Sequence, residues 1–187
     1  MSTTEFINTY APMAVDSTAN VNLLPSVVLA MAAIESGWNT NNLSTNYNNF
    51  FSIKAYTNPR GNAITYADDD TSHEPFRVYT SPQASFDDLV NFLYIDNQRY
   101  LSAGLENAQT PADQLKTIMA AGYATSTYTD LALNIINSHS LTDFDEVKKK
   151  NTTTDKIILD RKHKTALIWG VILLSIFALI IILICLQ

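Results

Sequence analysis

LLPSVVLAMAAIESGW, residues 23–38, reads as a helix that is apolar almost all the way round. Pro25 suits its first turn, where a missing N–H is no loss, and Gly37 suits its C-terminal stop. A helix apolar on nearly every side belongs in the middle of a domain rather than on its surface. One residue breaks the pattern. Glu35 is the only charged residue between Asp16 and Lys54, and its helical neighbours at i−3, i−4 and i−7 are Ala32, Met31 and Val28. It stands in the last turn, where the partial negative charge of the helix end disfavours another anion. Burial and the helix dipole therefore both push its pKa upward. A carboxyl group kept protonated near neutral pH is what a glycosidase uses to protonate a leaving-group oxygen. The residues alone leave a second reading open, in which the Glu35 side chain escapes to solvent at the helix end.

Working outward, an amphipathic helix is expected over about Thr4 to Thr18, with Phe6, Ile7, Tyr10, Met13 and Ala14 on one face. After the central helix, NTNNLSTNYNN (residues 39–49) has loop composition. FFSIKAY (50–56) reads as a short strand or a buried loop. Two short strands joined by a turn are expected over residues 57–75, around Pro59, Gly61 and the acidic run Asp68 to Asp70. Further helices are predicted from Ser81 or Ser85 to about Asn97, from Thr110 to about Gly122, and from Tyr128 to Ser138. The second opens with TPADQ, an N-cap followed by proline. The expectation is an α+β, mainly α domain with a small β-hairpin, spanning residues 1–141. A polar and basic linker (142–164) follows, and then an apolar segment at 165–186.

Thr165 to Leu186 holds no charged residue and is dominated by Ile, Leu, Val, Ala and Phe. At about 1.5 Å rise per residue such a stretch spans a bilayer core of roughly 30 Å, so one C-terminal transmembrane helix is expected. The residues after Met1, STTEFINTY, have neither a basic start nor a long apolar run, so no secretory leader is expected there. Charge divides along the chain. Residues 1–147 carry 5 Lys/Arg against 16 Asp/Glu, a net of −11, and residues 148–187 carry 7 against 2, a net of +5. An acidic domain excludes nucleic acid as its partner, because phosphate contacts need a basic surface. The basic runs Lys148–Lys150 and Arg161–Lys164 suit the anionic surface of a lipid leaflet. The single cysteine, Cys185, rules out an internal disulfide, and His73, His139 and His163 are too scattered to suggest a metal site. No cofactor is expected.

Four blocks in order carry a resemblance: LLPSVVLAMAAIESGW, NNFFSIKA, FRVYTSPQASFDDLVNFL and AAGYATSTYTDLALNII. They resemble the glucosaminidase domain of glycoside hydrolase family 73, over roughly Phe6 to His139. The resemblance implies a lysozyme-like helical fold with a β-lobe beside a substrate groove. It also implies hydrolysis of β-1,4 glycosidic bonds in peptidoglycan glycan strands, as an endo-β-N-acetylglucosaminidase. The Glu of its ESGW block is the general acid, matching Glu35. The Tyr of GYAT lies in the active site, matching Tyr123, for which a core aromatic at a helix end is the other reading. The block NNFFSIKA lines the groove, which makes Asn49, Phe51 and Lys54 substrate-binding candidates, with Tyr66 of the hairpin beside them. Phe50, Phe51 and Ile53 also suit the core. Ser52 departs from the glycine usual at its position.

The resemblance further implies an acidic residue in the β-lobe. Only about 20 residues separate SIKA from FRVY here, so the hairpin is shortened. Asp68, Asp69, Asp70 and Glu74 are the candidates, with Asp69 and Glu74 favoured, and a solvated acidic turn is the alternative. Two rival functions remain open, a lytic transglycosylase acting through one acid and an inactive wall-binding or structural membrane protein. The basic flank places the N-terminal domain on the cytoplasmic side, whereas peptidoglycan lies outside. A protein of the internal membrane of a bacteriophage virion, used to breach the host wall at entry or release, resolves that conflict. Export of a bacterial enzyme by an unusual route is the competing resolution.

Overall fold

The computed structural model describes residues 1–56, 63–66, 74–125, 127–159 and 162. The chain divides into two units, Met1–Lys148 and Lys149–Gln187. In the first, helix α1 (Thr3–Ser17) starts at a capping box, in which the Ser2 hydroxyl accepts from Glu5 N and the Glu5 carboxylate accepts from Ser2 N. Its buried face is Phe6, Tyr10, Ala11, Ala14 and Val15. The central helix α2 (Pro25–Ser36) is buried from Pro25 to Ala33 and ends at Gly37, which takes the left-handed conformation at φ 57°. It packs against α1, α6 (Pro111–Ala120) and α7 (Thr127–Ser138). Apolar residues on every side are thus matched by neighbours on several sides.

The start of α2 has no cap of its own, since Leu24 stands at the N-cap. Distant residues supply the missing partners. Asp145 accepts from Ser26 N (2.9 Å) and Ser26 Oγ (2.8 Å). Gln114 Oε1 accepts from Leu24 N (2.9 Å), and Lys148 Nζ donates to Val21 O (2.7 Å) and Leu23 O (2.8 Å). Within residues 142–148, expected as the start of a linker, Asp145 (6% exposed) therefore engages the start of α2 and Lys148 the segment just before it. Residues 143–159 are helical; those of the second unit, 149–159, have every side chain exposed.

The Asn-rich stretch expected as a loop contains a short helix, α3 (Asn42–Tyr47). Its asparagines form both ends. Asn41 Oδ1 accepts from Ser44 N (2.9 Å), and Asn48 closes the helix at φ 54°. Residues 50–55, with Phe50, Phe51, Ile53 and Ala55 buried, then run beside a two-stranded antiparallel sheet, β1 (Ala63–Tyr66) and β2 (Pro75–Val78), in which Ala63 faces Val78 and Tyr66 faces Pro75. Ala55 N donates to Pro75 O (2.7 Å) and Arg77 N to Ile53 O (3.0 Å), so segment 50–55 ties the hairpin to the helical body. Helix α4 (Pro82–Asn91), capped by Ser81, widens into an i→i+5 turn over Phe92–Asp96, and a short helix α5 (Arg99–Ser102) follows. The core gathers rings from several elements: Tyr10 and Phe50 lie 4.6 Å apart, Phe51 and Phe86 5.0 Å.

The expected membrane helix lies outside the described residues. Among those described, no helix is long and apolar enough to cross a membrane.

Candidate active site

Glu35 opens onto a groove of about 450 Å³ whose walls include Phe51, Lys54, Tyr56, Arg77, Arg99 and Tyr123. The helix that carries it stops at once. Gly37, Trp38 and Asn39 all have left-handed φ values of 57–60°, a conformation costly for the last two. Neighbouring groups hold that run in place: Trp38 packs edge-on against Phe6 with ring centroids 5.2 Å apart, and Asn39 N donates to Ser36 Oγ (2.9 Å). The backbone thus turns away directly after the acid, leaving its side chain at the groove.

Burial raises the Glu35 pKa above its ordinary value of 4.5, and the nearby Tyr128 hydroxyl draws it part of the way back. That approach falls short of a full hydrogen bond: the buried oxygens of Tyr123 and Tyr128 are without a hydrogen-bond partner. Their rings meet edge-on at 6.0 Å. Burial, reinforced by the charge of Glu35, raises both phenol pKa values, so both keep their protons and remain donors. Tyr123 gets its position from the end of α6. Gly122 takes φ 88°, and Tyr123 N donates back to Ile118 O (3.3 Å), which throws the ring inward.

Of the other sequence candidates, Phe51 lines the groove from the core side at 2% exposure. Lys54 lines it as the ion-pair partner of Glu74. Glu74 also accepts from Tyr56 Oη (2.7 Å), so this carboxylate is fastened to two lining residues. Asn49 lies elsewhere. It is fully buried and absent from the groove, and its amide is engaged with backbone: Nδ2 donates to Ile53 O (3.1 Å) and Arg77 O (2.9 Å), while Oδ1 accepts from Ile53 N (3.0 Å). These bonds tie segment 50–55 to β2. Tyr66 lies in β1, its backbone opposite Pro75. Asp68, Asp69 and Asp70 lie outside the described residues.

Sequence reasoning did not single out Tyr128, Arg77 or Arg99. Arg77 is 1% exposed, and its Nη1 sits 2.6 Å from Asp88 Oδ2, which also accepts from Tyr79 Oη (2.7 Å). An arginine between Phe76 and Val78 in a strand was the available signal, because a buried guanidinium requires a carboxylate partner. Among the described residues no cluster of His, Cys, Asp or Glu suits a metal ion.

A mainly helical body with a β-hairpin lobe and a protonatable carboxyl in the groove defines a lysozyme-like glycoside hydrolase fold. The comparisons narrow the class. The family model for the glucosaminidase domain, mannosyl-glycoprotein endo-β-N-acetylglucosaminidase, matches residues 11–141, and the chain belongs to that family. It is 36% identical over 141 residues to the peptidoglycan hydrolase FlgJ of Vibrio parahaemolyticus, covering 70% of this chain and 45% of that protein. It is 30% identical over 149 residues to the exo-glucosaminidase LytG of Bacillus subtilis, covering 72% and 50%. The chain thus spans about half the length of these curated relatives. The catalytic domain of the autolysin Auto from Listeria monocytogenes superposes with a TM-score of 0.62 at 31% identity, covering 78% of this chain and 89% of that one.

Proposed function

We propose that this protein hydrolyses β-1,4 bonds of peptidoglycan glycan strands, with Glu35 as the general acid. The observation that carries the reading is a carboxyl with a raised pKa at a groove, in a member of the glucosaminidase family. Glu35 delivers its proton to the glycosidic oxygen as positive charge develops on the sugar ring. The carboxylate left behind gains from the Tyr128 hydroxyl, whose interaction with Glu35 favours the charged form. Tyr123, lining the groove with an unpartnered hydroxyl, donates to a group bound beside the acid. Glu74 or one of Asp68, Asp69 and Asp70 serves as the second carboxylate. The bond broken is the one after N-acetylglucosamine.

A wall-clearing assay tests this directly. Glu35→Gln keeps the shape and removes the proton donor, so clearing of purified peptidoglycan should fall by roughly 10²–10⁴-fold. An active variant overturns the assignment. A lytic transglycosylase is the second reading, favoured by Glu35 being the one carboxylate among the described residues that line the groove. Product analysis separates the two, a reducing N-acetylglucosamine end supporting hydrolysis and an anhydro sugar the alternative. Alanine scanning of Asp68, Asp69, Asp70 and Glu74 should find one substitution far more damaging than the other three.

The apolar run 165–186 anchors this domain to a lipid bilayer, with the basic residues of 148–164 against the anionic leaflet. Such an anchored wall hydrolase suits the internal membrane of a bacteriophage virion, where it acts on the host wall at entry or release.

A further inference from the structure

Residues 1–147 contain only five basic residues, and three of them, Lys54, Arg77 and Arg99, line the groove. The same stretch contains sixteen acidic residues, and among the described ones only Glu35 lines it. An acidic domain has thus placed most of its positive charge around one groove, where a low-dielectric wall concentrates its field. Two of the three cations are already matched, Lys54 by Glu74 and Arg77 by Asp88. Arg99 is different. It is exposed and has no carboxylate partner among the described residues; its Nη2 donates to Tyr100 Oη (2.8 Å), and its guanidinium lies 4.9 Å from the Tyr100 ring centroid. Tyr100 is fully buried, so this platform is rigid. Arg99 Nη1 lies beside the turn that carries Tyr123, 3.8 Å from where a Cβ at Gly122 would stand, an ordinary contact distance. A held guanidinium is a ready partner for a carboxylate.

We propose that Arg99 binds a carboxylate carried by the glycan substrate, so that the groove selects acidic, carboxylate-bearing strands over neutral poly-N-acetylglucosamine. The proposal rests on the peptidoglycan reading and names the substrate group that the groove reads. The carboxylates concerned are the free carboxylates of the peptide stems and, on strands freed of peptide, those of the lactyl groups, which are neutral amides wherever a peptide is attached. Arg99 is a binding residue and takes no part in proton transfer.

The test measures binding and cleavage separately, with the full-length chain in detergent. Two probes are used: soluble glycan strands stripped of peptide, which carry free lactyl carboxylates, and the same strands after their carboxylates are converted to amides. The native chain should bind the carboxylate strands on the order of ten-fold more tightly, a preference that weakens with salt. Arg99→Gln should abolish the preference while leaving affinity for the amidated strands within about two-fold. Arg99→Lys should keep part of it. A native chain that does not distinguish the probes overturns the proposal. So does an Arg99→Gln variant that loses affinity for both probes equally, or one that keeps the full preference. If Arg99→Gln fails to fold, Arg99→Lys decides, because an undiminished salt-insensitive preference would then exclude the guanidinium. Cleavage is scored apart: carboxylate-dependent binding without any bond breakage upholds the role of Arg99 and sinks the hydrolase reading.

Discussion

Asp145 caps the helix that carries Glu35. Its carboxylate oxygens accept from the backbone N and the hydroxyl of Ser26 at 2.9 and 2.8 Å, across 119 positions of sequence. Leu24 cannot cap its own helix, so the orphan N–H groups at the start of α2 depend on a residue near the end of the domain. Asp145→Ala strands buried donors and should cost about 2 kcal/mol. In a domain of this size that is a fall of roughly 4–8 °C in Tm, read by differential scanning calorimetry. An unchanged Tm would show that the cap does not hold the helix. A chain ending at residue 141 should melt lower still, since it also loses Lys148 and its contacts to Val21 and Leu23.

Glu35 should leave a signature in the pH dependence of both activity and stability. Its folded pKa lies above the ordinary value, so the folded state holds the proton more tightly than the unfolded chain does. As pH rises through that raised pKa the acid is lost and activity falls. The alkaline limb of the pH profile of kcat/KM should therefore lie above the usual carboxyl range. The same shift means that ionised Glu35 destabilises the fold, a penalty present at neutral pH and absent below about the ordinary value. Glu35→Gln should match or exceed the native chain in Tm near pH 7, and the gap should close on acidification. A variant less stable at pH 7 than at pH 4, relative to the native chain, contradicts this sign.

Asn49→Ala separates a structural from a binding role. Three buried backbone groups each lose a hydrogen bond, with Ile53 O keeping only the one from Arg77 N, so stability should drop by about 2–3 kcal/mol. The folded fraction should keep its KM for peptidoglycan fragments. A large rise in KM with an unchanged denaturation midpoint would return Asn49 to the list of substrate contacts.

Ending the chain after Lys148 tests the anchor. The truncated protein retains Asp145, Lys148 and every groove residue, and should fold and clear peptidoglycan from the aqueous phase. The full chain should resist carbonate washing of membranes. A full-length protein that stays in the aqueous phase removes the anchor, and the virion hypothesis with it.

Much of the helical body was legible because its signals are local. Pro25 and Gly37 bound α2, Thr110 and Pro111 open α6, and the turn at Gly122 fixes where Tyr123 points. Each acts on the backbone within a few residues. The buried neighbours of Glu35 follow from helical spacing alone, and with them the direction of its pKa. The loop composition of residues 39–49 misled for a related reason: the asparagines that disfavour a helix interior also cap a short helix at both ends, and composition does not tell these uses apart.

What only the tertiary structure decided depends on residues far apart in sequence. Asn49 sits in a block full of polar residues, and whether its amide meets a sugar or three backbone groups is set by how residues 50–55 lie against β2. Tyr128 reaches Glu35 because α7 packs on α2, and Asp145 reaches Ser26 because the domain closes on itself. Arg77, Arg99 and Lys54 are single cations scattered over 46 positions, and only folding gathers them at one groove. Local rules act through a turn or two of backbone, whereas a site is an intersection of elements, so the sequence by itself determined the helix, its acid and its family, and packing decided what surrounds that acid.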